Sequence, residues 1–410
     1  MYCNILRRLG YGLSRELWLV EIGIFFNYLG YGAVLPFEII YLHDGRGFSL
    51  GVAGAVIGVV TGAAVAAAPV AGPLIDRFGA RTVAAWAGLA LAGGYAGLAF
   101  AQSELAAFAA AAVGGIGNGL LNPSQSTLVA ALAPSEIRHR ATAVSRVAAN
   151  AGMGIGGAFG GFFAHYGLRG FVALFLANAL TYMVYVAVLL AVVRADPRFA
   201  RLSGGYRLVL RDRAFVRLAF VNVAMIGVGW GVFTWLLPPF AKNELGIGPE
   251  AIGLLLFANA VTVVVAQVPI ARLAEGHRRV VLIALAGAIF AGACGLVLAT
   301  EIAPVAGYAV MMAATVGVAI GECLHTTALM PLVAELAPPE LRGRYMAAIG
   351  LSWWIGLAAA PTIGGQLLSV SPTATFVAAI GVAAAAAVFA LALEPRLPAQ
   401  ARLTPRPASR

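Results

Sequence analysis

The sequence predicts an all-α integral membrane protein with 12 transmembrane helices arranged as two six-helix bundles. Composition, the recurrence of charge-free stretches and an internal repeat carry that reading. Of 410 residues, 61% are hydrophobic and only 11% are charged, and the mean hydropathy is +0.90. A soluble domain carries about 25% charged and 45–50% apolar residues. The 27 basic and 17 acidic side chains are too few to cover a water-soluble globule of this length. That excludes a soluble enzyme, a secreted disulfide scaffold and a disordered chain. The three cysteines, Cys3, Cys294 and Cys323, have neither a pairing pattern nor a metal-ligand spacing.

A helix needs about 20 apolar residues to cross a hydrocarbon core of about 30 Å. The first span covers about 17–42 and contains Glu21 and Glu38. Charge-free stretches then follow at 47–75, 82–103, 105–135, 147–168, 170–193, 218–241, 251–271 and 280–300. The span at about 303–333 contains Glu322. The run 345–393 holds two spans, with Pro372 in the turn between them. The runs are continuous rather than alternating, which argues against a membrane barrel. The first span is too long for a signal-peptide core and lacks a small-x-small cleavage site, so it is expected to stay in the membrane.

Lys and Arg mark the cytoplasmic connections of membrane proteins. With both termini in the cytoplasm, 23 of the 27 basic residues fall inside; Arg46, Arg169 and Lys242 fall outside, and Arg146 lies within a span. Anionic lipid on the cytoplasmic face accounts for the net charge of +10, so nucleic acid is not an expected partner. The predicted organisation is a bundle over 1–194, a cytoplasmic linker over 195–213, a second bundle over 214–394 and a tail over 395–410. The predicted location is the inner (cytoplasmic) membrane of a prokaryotic-type cell.

The repeat divides the chain in two. Residues 132–140 read LAPSEIRHR and residues 336–344 read LAPPELRGR, with six of nine positions identical at an offset of 204. The same offset pairs Gly117 with Gly321, and Gly152, Gly160 and Gly161 with Gly356, Gly364 and Gly365. The fourth and fifth spans are therefore copied as the tenth and eleventh. Two six-span halves in parallel repeat are a transporter architecture. On these features the chain resembles the major facilitator superfamily from about residue 17 to 393.

The most specific marker of the resemblance is the turn between the second and third spans, which reads Gly72, Leu74, Asp76, Arg77, Gly79 and Arg81. An acid in a tight turn can pair with an Arg or a helix N-terminus of a neighbour and hold a cytoplasmic gate in one state. The corresponding second-half loop has Arg272 where Asp76 aligns. In the fifth span, Gly152, Gly156, Gly157, Gly160 and Gly161 resemble the glycine signature of drug–proton antiporters, with Gly157 where that signature has proline. Two readings stay open for it, a coupling role and simple close packing of helices. The basic residue that such antiporters often carry early in the fourth span is absent from 108–117.

An ionisable residue within a membrane span is a functional candidate because burying its charge is unfavourable by about 2.5–3.5 kcal/mol even on the lenient insertion scale. Glu322 and His325 share a face of the tenth span at i, i+3, and a carboxyl with an imidazole is chemistry that proton coupling requires. Glu38 lies near the outer end of the first span, whereas Glu21 reads as interfacial. Arg146, with Asn150 at i+4, is placed to hold an anionic substrate or a carboxylate. The candidate cavity lining comprises Asn27, Tyr28 and Tyr31 of the first span, the stripe Asn118, Asn122 and Gln125 of the fourth, and Asn222, Trp230 and Phe233 of the seventh. Trp235 and Trp353 fit either a cavity or an interfacial aromatic belt.

The resemblance implies a secondary transporter that exports small amphipathic organic compounds, drugs or metabolites, by alternating access. The proton gradient would be the driving force, with no cofactor and no metal, and the protein would act as a monomer in the bilayer. The alternative is a proton-coupled uptake symporter or facilitator for a metabolite such as a sugar, amino acid or organic acid. An integral-membrane enzyme or receptor is the distant alternative, because the five histidines form no H-E-x-x-H constellation.

Overall fold

The computed structural model describes residues 13–133, 138–193, 207–300, 306–338 and 341–404. Among these residues 12 helices are long and apolar enough to cross a membrane. They are α1 (Arg15–Gly45), α2 (Leu50–Ile75), α3 (Ala80–Phe100), α4 (Glu104–Leu132), α5 (Val144–Ala164) and α6 (Gly167–Val192). The others are α7 (Arg213–Leu245), α8 (Pro249–Leu273), α9 (Arg279–Ala299), α10 (Gly307–Leu336), α11 (Arg344–Val370) and α12 (Pro372–Arg396). The one bridge of β type among the described residues is isolated and pairs Arg278 with Leu403.

The helices form where the charge-free runs predict, and local chemistry sets their ends. Ser14 caps α1 by accepting from the Leu17 amide at 3.2 Å, Ser103 caps α4 through Ala106, and Asp212 caps α7 through Ala214 and Phe215. Such caps satisfy amides that have no partner within the helix. Gly79 joins α2 to α3 at φ 89°, backbone that a residue with a Cβ adopts only under strain.

The chain divides into two compact units: Met1–Phe48 with Val59–Leu202, and Ser49–Gly58 with Ser203–Arg410. The first unit therefore lacks the opening turns of α2, which cluster with the second. Inside the first unit α1 packs on α5 and α6, and α3 packs on α4 and α6. Inside the second, α7 packs on α11 and α12, α9 on α10 and α12, and α8 on α10. Apart from that last pair, the pattern is the same, six helices on.

Among the described residues four spans depart from regular α geometry: α1, which also ends in a π turn over Tyr41–Gly45, α7, α11 and, in its last turn Glu394–Arg396, α12. In α1, Pro36 has no N–H to donate, and the chain tightens to a 3₁₀ turn over Leu35–Phe37 before Glu38 resumes the helix. In α7 the segment Gly227–Leu236 is a π-helix, and in α11 so is Ala360–Gly364. These wider turns occur frequently at functional sites.

The tail is built into the second unit. A short helix, Ala399–Arg402, follows α12, and Leu403 and Thr404 after it lie along the α8–α9 loop. Thr404 N donates to His277 O at 3.0 Å, and Gly276 N donates to Thr404 O at 3.1 Å. The Thr404 hydroxyl also bonds the Ala274 carbonyl.

Candidate functional site

Each unit holds a buried polar cluster, and the first is centred on α1. Glu38 is 2% exposed, and its Oε1 accepts from the Tyr95 hydroxyl of α3 at 3.2 Å. The Tyr95 ring stacks on Tyr182 of α6, with centroids 5.9 Å apart and planes 10° apart, and meets Tyr31 edge-on at 6.5 Å. Farther along α1 the Tyr28 hydroxyl donates to Asn122 Oδ1 at 3.1 Å, and Tyr31 lies within hydrogen-bonding reach of Asn118. Asn118 and Asn122 of the stripe therefore face α1 inside the unit, and Gln125 lies beside Tyr185 of α6. Asn27 is buried as well.

Glu21 corrects the interfacial reading. It is 2% exposed, and its Oε1 accepts from the Ser145 hydroxyl of α5 at 2.7 Å. The physical reason is tertiary: α5 crosses α1 closely at this level and covers the carboxyl. The next residue, Arg146, stands on an exposed position of α5, as does Asn150.

The fifth-span glycines have a steric explanation. A Cβ at Gly152, Gly156 or Gly160 would fall against the carbonyls of Phe25, Leu29 and Ala33 of α1. α5 lies so close to α1 that only hydrogen fits there. Gly157 and Gly161 are buried in the same helix. In the turn between α2 and α3, Arg77 lies over the Phe78 ring at 5.0 Å, and Arg81 donates to the Leu190 carbonyl at 2.6 Å. Gly72 is exposed. The Asp76 side chain lies outside the described residues, as do residues 134–137 and 339–340 of the two repeat loops.

The second cluster is centred on α10. Glu322 and His325 are both buried, but they reach different neighbours. Glu322 Oε1 accepts from Asn259 Nδ2 of α8 at 3.5 Å. The His325 ring meets Trp230 of α7 edge-on at 5.8 Å, and neither of its nitrogens has a hydrogen-bond partner among the described residues. Spacing puts the two on one helix surface, whereas the neighbouring helices separate their environments. Trp230 also touches Trp353 of α11 at 4.7 Å and Phe290 of α9 at 6.2 Å. Trp235 and Phe233 are buried in the unit, so Trp235 is not part of an interfacial belt. Asn222 donates to the Ser352 hydroxyl at 2.8 Å, joining α7 to α11. Sequence reasoning missed Asn259 and Gln267, which hold α8 to α10 through Glu322 and Thr327. Their place eight residues apart on one nearly charge-free helix was the available signal.

Arg279 is one of the basic residues counted on the cytoplasmic side, and its side chain is fully buried; it donates to Glu335 Oε1 at 2.6 Å and to the Ala401 carbonyl at 3.3 Å. The docked tail closes over it. Among the described residues no three His, Cys, Asp or Glu side chains gather as a metal site.

The sequence profile of the Major Facilitator Superfamily matches residues 20–237 and 219–409. The chain belongs to the major facilitator superfamily. The two matches, one per half, agree with the repeat. Among curated relatives, the chain is 26% identical over 365 residues to the uncharacterized MFS-type transporter YqjV of Bacillus subtilis, covering 85% of each chain. It is 26% identical over 356 residues to the multidrug resistance protein MdtH of Aeromonas hydrophila, covering 85% of this chain and 87% of that one. Among solved structures, a POT family transporter in complex with 5-aminolevulinic acid superposes with a TM-score of 0.77 at 14% identity, over 93% of this chain and 96% of that one. A D-xylose–proton symporter superposes with a TM-score of 0.73 at 15% identity, over 91% and 96%. At these identities the structural likenesses speak to the fold. The chain is a multi-pass membrane transporter of this superfamily.

Proposed function

We propose that this transporter exports small amphipathic organic compounds in exchange for protons, by alternating access, from a cell membrane in which both termini are cytoplasmic. The observation that carries the proposal is a buried carboxyl within a membrane span of each unit. Glu38 is held by Tyr95 and Glu322 by Asn259. A carboxyl in an apolar span is tolerated where it is paired or where it changes its protonation state as part of the work. A proton from outside neutralises such a group, and its release to the cytoplasm restores the charge. One proton moves in for each charge restored, and substrate binding that competes with the proton would link the two flows. The Trp230, Trp353 and Phe290 rings beside His325 suit flat apolar ligands. The relatives named multidrug resistance protein favour export.

Uptake in symport with protons is the second reading. It is favoured by the lack of a charged residue over 108–117 and by Gly157 at the proline position of the antiporter signature. Everted membrane vesicles with an acid interior decide between them. The export reading expects ethidium to accumulate on acidification and to leak out when the gradient is collapsed. Accumulation should fall at least tenfold in both Glu38→Gln and Glu322→Gln. Accumulation that ignores the gradient, or that survives both substitutions, overturns proton-coupled export; gradient-driven movement in the opposite direction establishes symport.

A further inference from the structure

We propose that the first unit contains a proton path of its own, running beside α1 between Glu38 and Glu21 through tyrosine and amide side chains and enclosed water. It rests on the reading that protons are the coupling ion and adds where they travel.

Glu21 and Glu38 stand 17 positions apart in one helix, about 25 Å at 1.5 Å per residue. Both are 2% exposed. The helix surface between them is polar on the side facing α3, α4 and α6. From the Glu38 end, the Tyr95 hydroxyl touches the carboxyl, Tyr31 lies beside Tyr95 and within reach of Asn118, and Tyr28 bonds Asn122. Two glycines of α1 let α6 bring further polar groups in. A Cβ at Gly30 would overlap the Thr181 hydroxyl and lie 2.8 Å from Asn178 Oδ1, and a Cβ at Gly23 would lie 3.0 Å from the Tyr185 ring. Beyond Tyr185 comes Glu21, whose Oε1 takes the Ser145 hydroxyl.

The second, independent observation is the set of orphaned atoms along this route. Glu21 Oε2, Tyr185 Oη, Gln125 Nε2 and both polar atoms of Asn178 are buried and make no hydrogen bond of good geometry among the described residues, Tyr185 and Gln125 lying side by side. Buried polar atoms are nearly always satisfied, and where protein groups do not satisfy them internal water does. Five such atoms on three adjoining helices mark a place where water completes a chain of donors and acceptors. Asn178, 0% exposed, sits midway, beside Gly30. The groups facing Glu38 are Tyr95 and Tyr182 from α3 and α6 and Tyr31 of its own helix. Those facing Glu21 are Ser145 of α5 and Tyr185 of α6.

In the transfer, a proton arrives at the Glu38 carboxylate. Each hydroxyl or water along the route takes one proton on one side and gives one up on the other. The Glu21 carboxyl then receives the last proton and releases it. No bond other than O–H changes, and one proton has moved.

Proteoliposomes of the full chain on a solid-supported membrane test the path with a pH step and no organic compound. The wild type should give a transient protein-bound current. Tyr28→Phe and Tyr185→Phe should each slow it at least tenfold, and Glu21→Gln should abolish it, whereas Tyr308→Phe in α10 leaves it at the wild-type rate. Ethidium counterflow without a pH gradient, measured in the same vesicles, shows that each variant is folded; should Glu21→Gln fail to fold, the two tyrosine variants decide. No current in the wild type, wild-type kinetics in both Tyr28→Phe and Tyr185→Phe, or full current in Glu21→Gln overturns the path. A surviving current with no gradient-driven ethidium transport overturns proton-coupled export and leaves the path standing. Lost current in the wild type with intact gradient-driven transport does the reverse.

Discussion

Leu132 and Leu336 end α4 and α10 in the same way, 204 residues apart. After each comes an alanine in extended conformation, Ala133 at φ −90°, ψ 125° and Ala337 at φ −78°, ψ 126°. Their amides bond back to Val129 and Val333. The duplication written in the sequence therefore survives as backbone geometry. Gly152 against α1 and Gly356 against α7 show the same correspondence in packing.

Close packing at the α1–α5 contact makes its glycines intolerant. Gly156→Ala places a methyl group against the Leu29 carbonyl, and overpacking of this kind destabilises by about 1–3 kcal/mol. Gly62→Ala in α2 meets nothing within 4 Å and should be neutral or stabilising by up to about 1 kcal/mol, the helix-propensity difference. Thermal unfolding in detergent separates the two: the midpoint drops for Gly156→Ala and holds or rises for Gly62→Ala.

The Arg279–Glu335 pair joins a fully buried guanidinium to a carboxylate that is one-third exposed. Glu335→Ala leaves the buried cation bonded to the Ala401 carbonyl without its carboxylate. Removing one partner of a buried pair is destabilising by about 3–5 kcal/mol, and the partial exposure of Glu335 puts this case at the lower end. The double variant Arg279→Met/Glu335→Met removes the stranded charge and should recover part of the loss. An unfolding midpoint for the double variant at or below that of Glu335→Ala contradicts this account.

His325→Phe tests whether the imidazole is part of the coupling chemistry. Its two nitrogens have no partner among the described residues, and its ring packs on Trp230. Replacing an unsatisfied buried polar group by an apolar one of similar shape is close to neutral or stabilising. The expected result is unchanged or raised thermal stability, with the pH profile of ethidium transport kept. A flattened profile in a stable His325→Phe protein would assign the proton to this ring.

Thr404→Val removes the hydroxyl that bonds the Ala274 carbonyl and the His277 amide. The α8–α9 loop should then open more often, and trypsin should cut after Arg278 several-fold faster in the variant. Equal cleavage rates would show that the backbone pairing alone secures the loop.

The number of spans, the two-fold repeat and the stripe of α4 were legible because each rests on periodicity or composition within one segment. Glu21 was not, since its place about a turn and a half from Arg15 and Glu16 reads as interfacial and only the crossing of α5 buries it. Arg279 was hidden for a similar reason: what covers it lies 122 residues later in the chain. The pairing of Glu322 with His325 followed helix spacing correctly, but the identity of the helices on either side decided their partners. The π segments of α7 and α11 carry no composition that separates them from ordinary helix.

The tail's place against the α8–α9 loop also sets an order in time. Residues 274–279 emerge from the ribosome long before Ala401 and Thr404, so the loop waits through the synthesis of four more spans before the segment that pairs with it exists. Until Ala401 is synthesised, the Arg279 charge has no carbonyl of that residue to bond. The second unit thus cannot reach its final arrangement before residues 401–404 exist, and a bulky group attached at Thr404 would interfere with this late step of assembly rather than hang free of it.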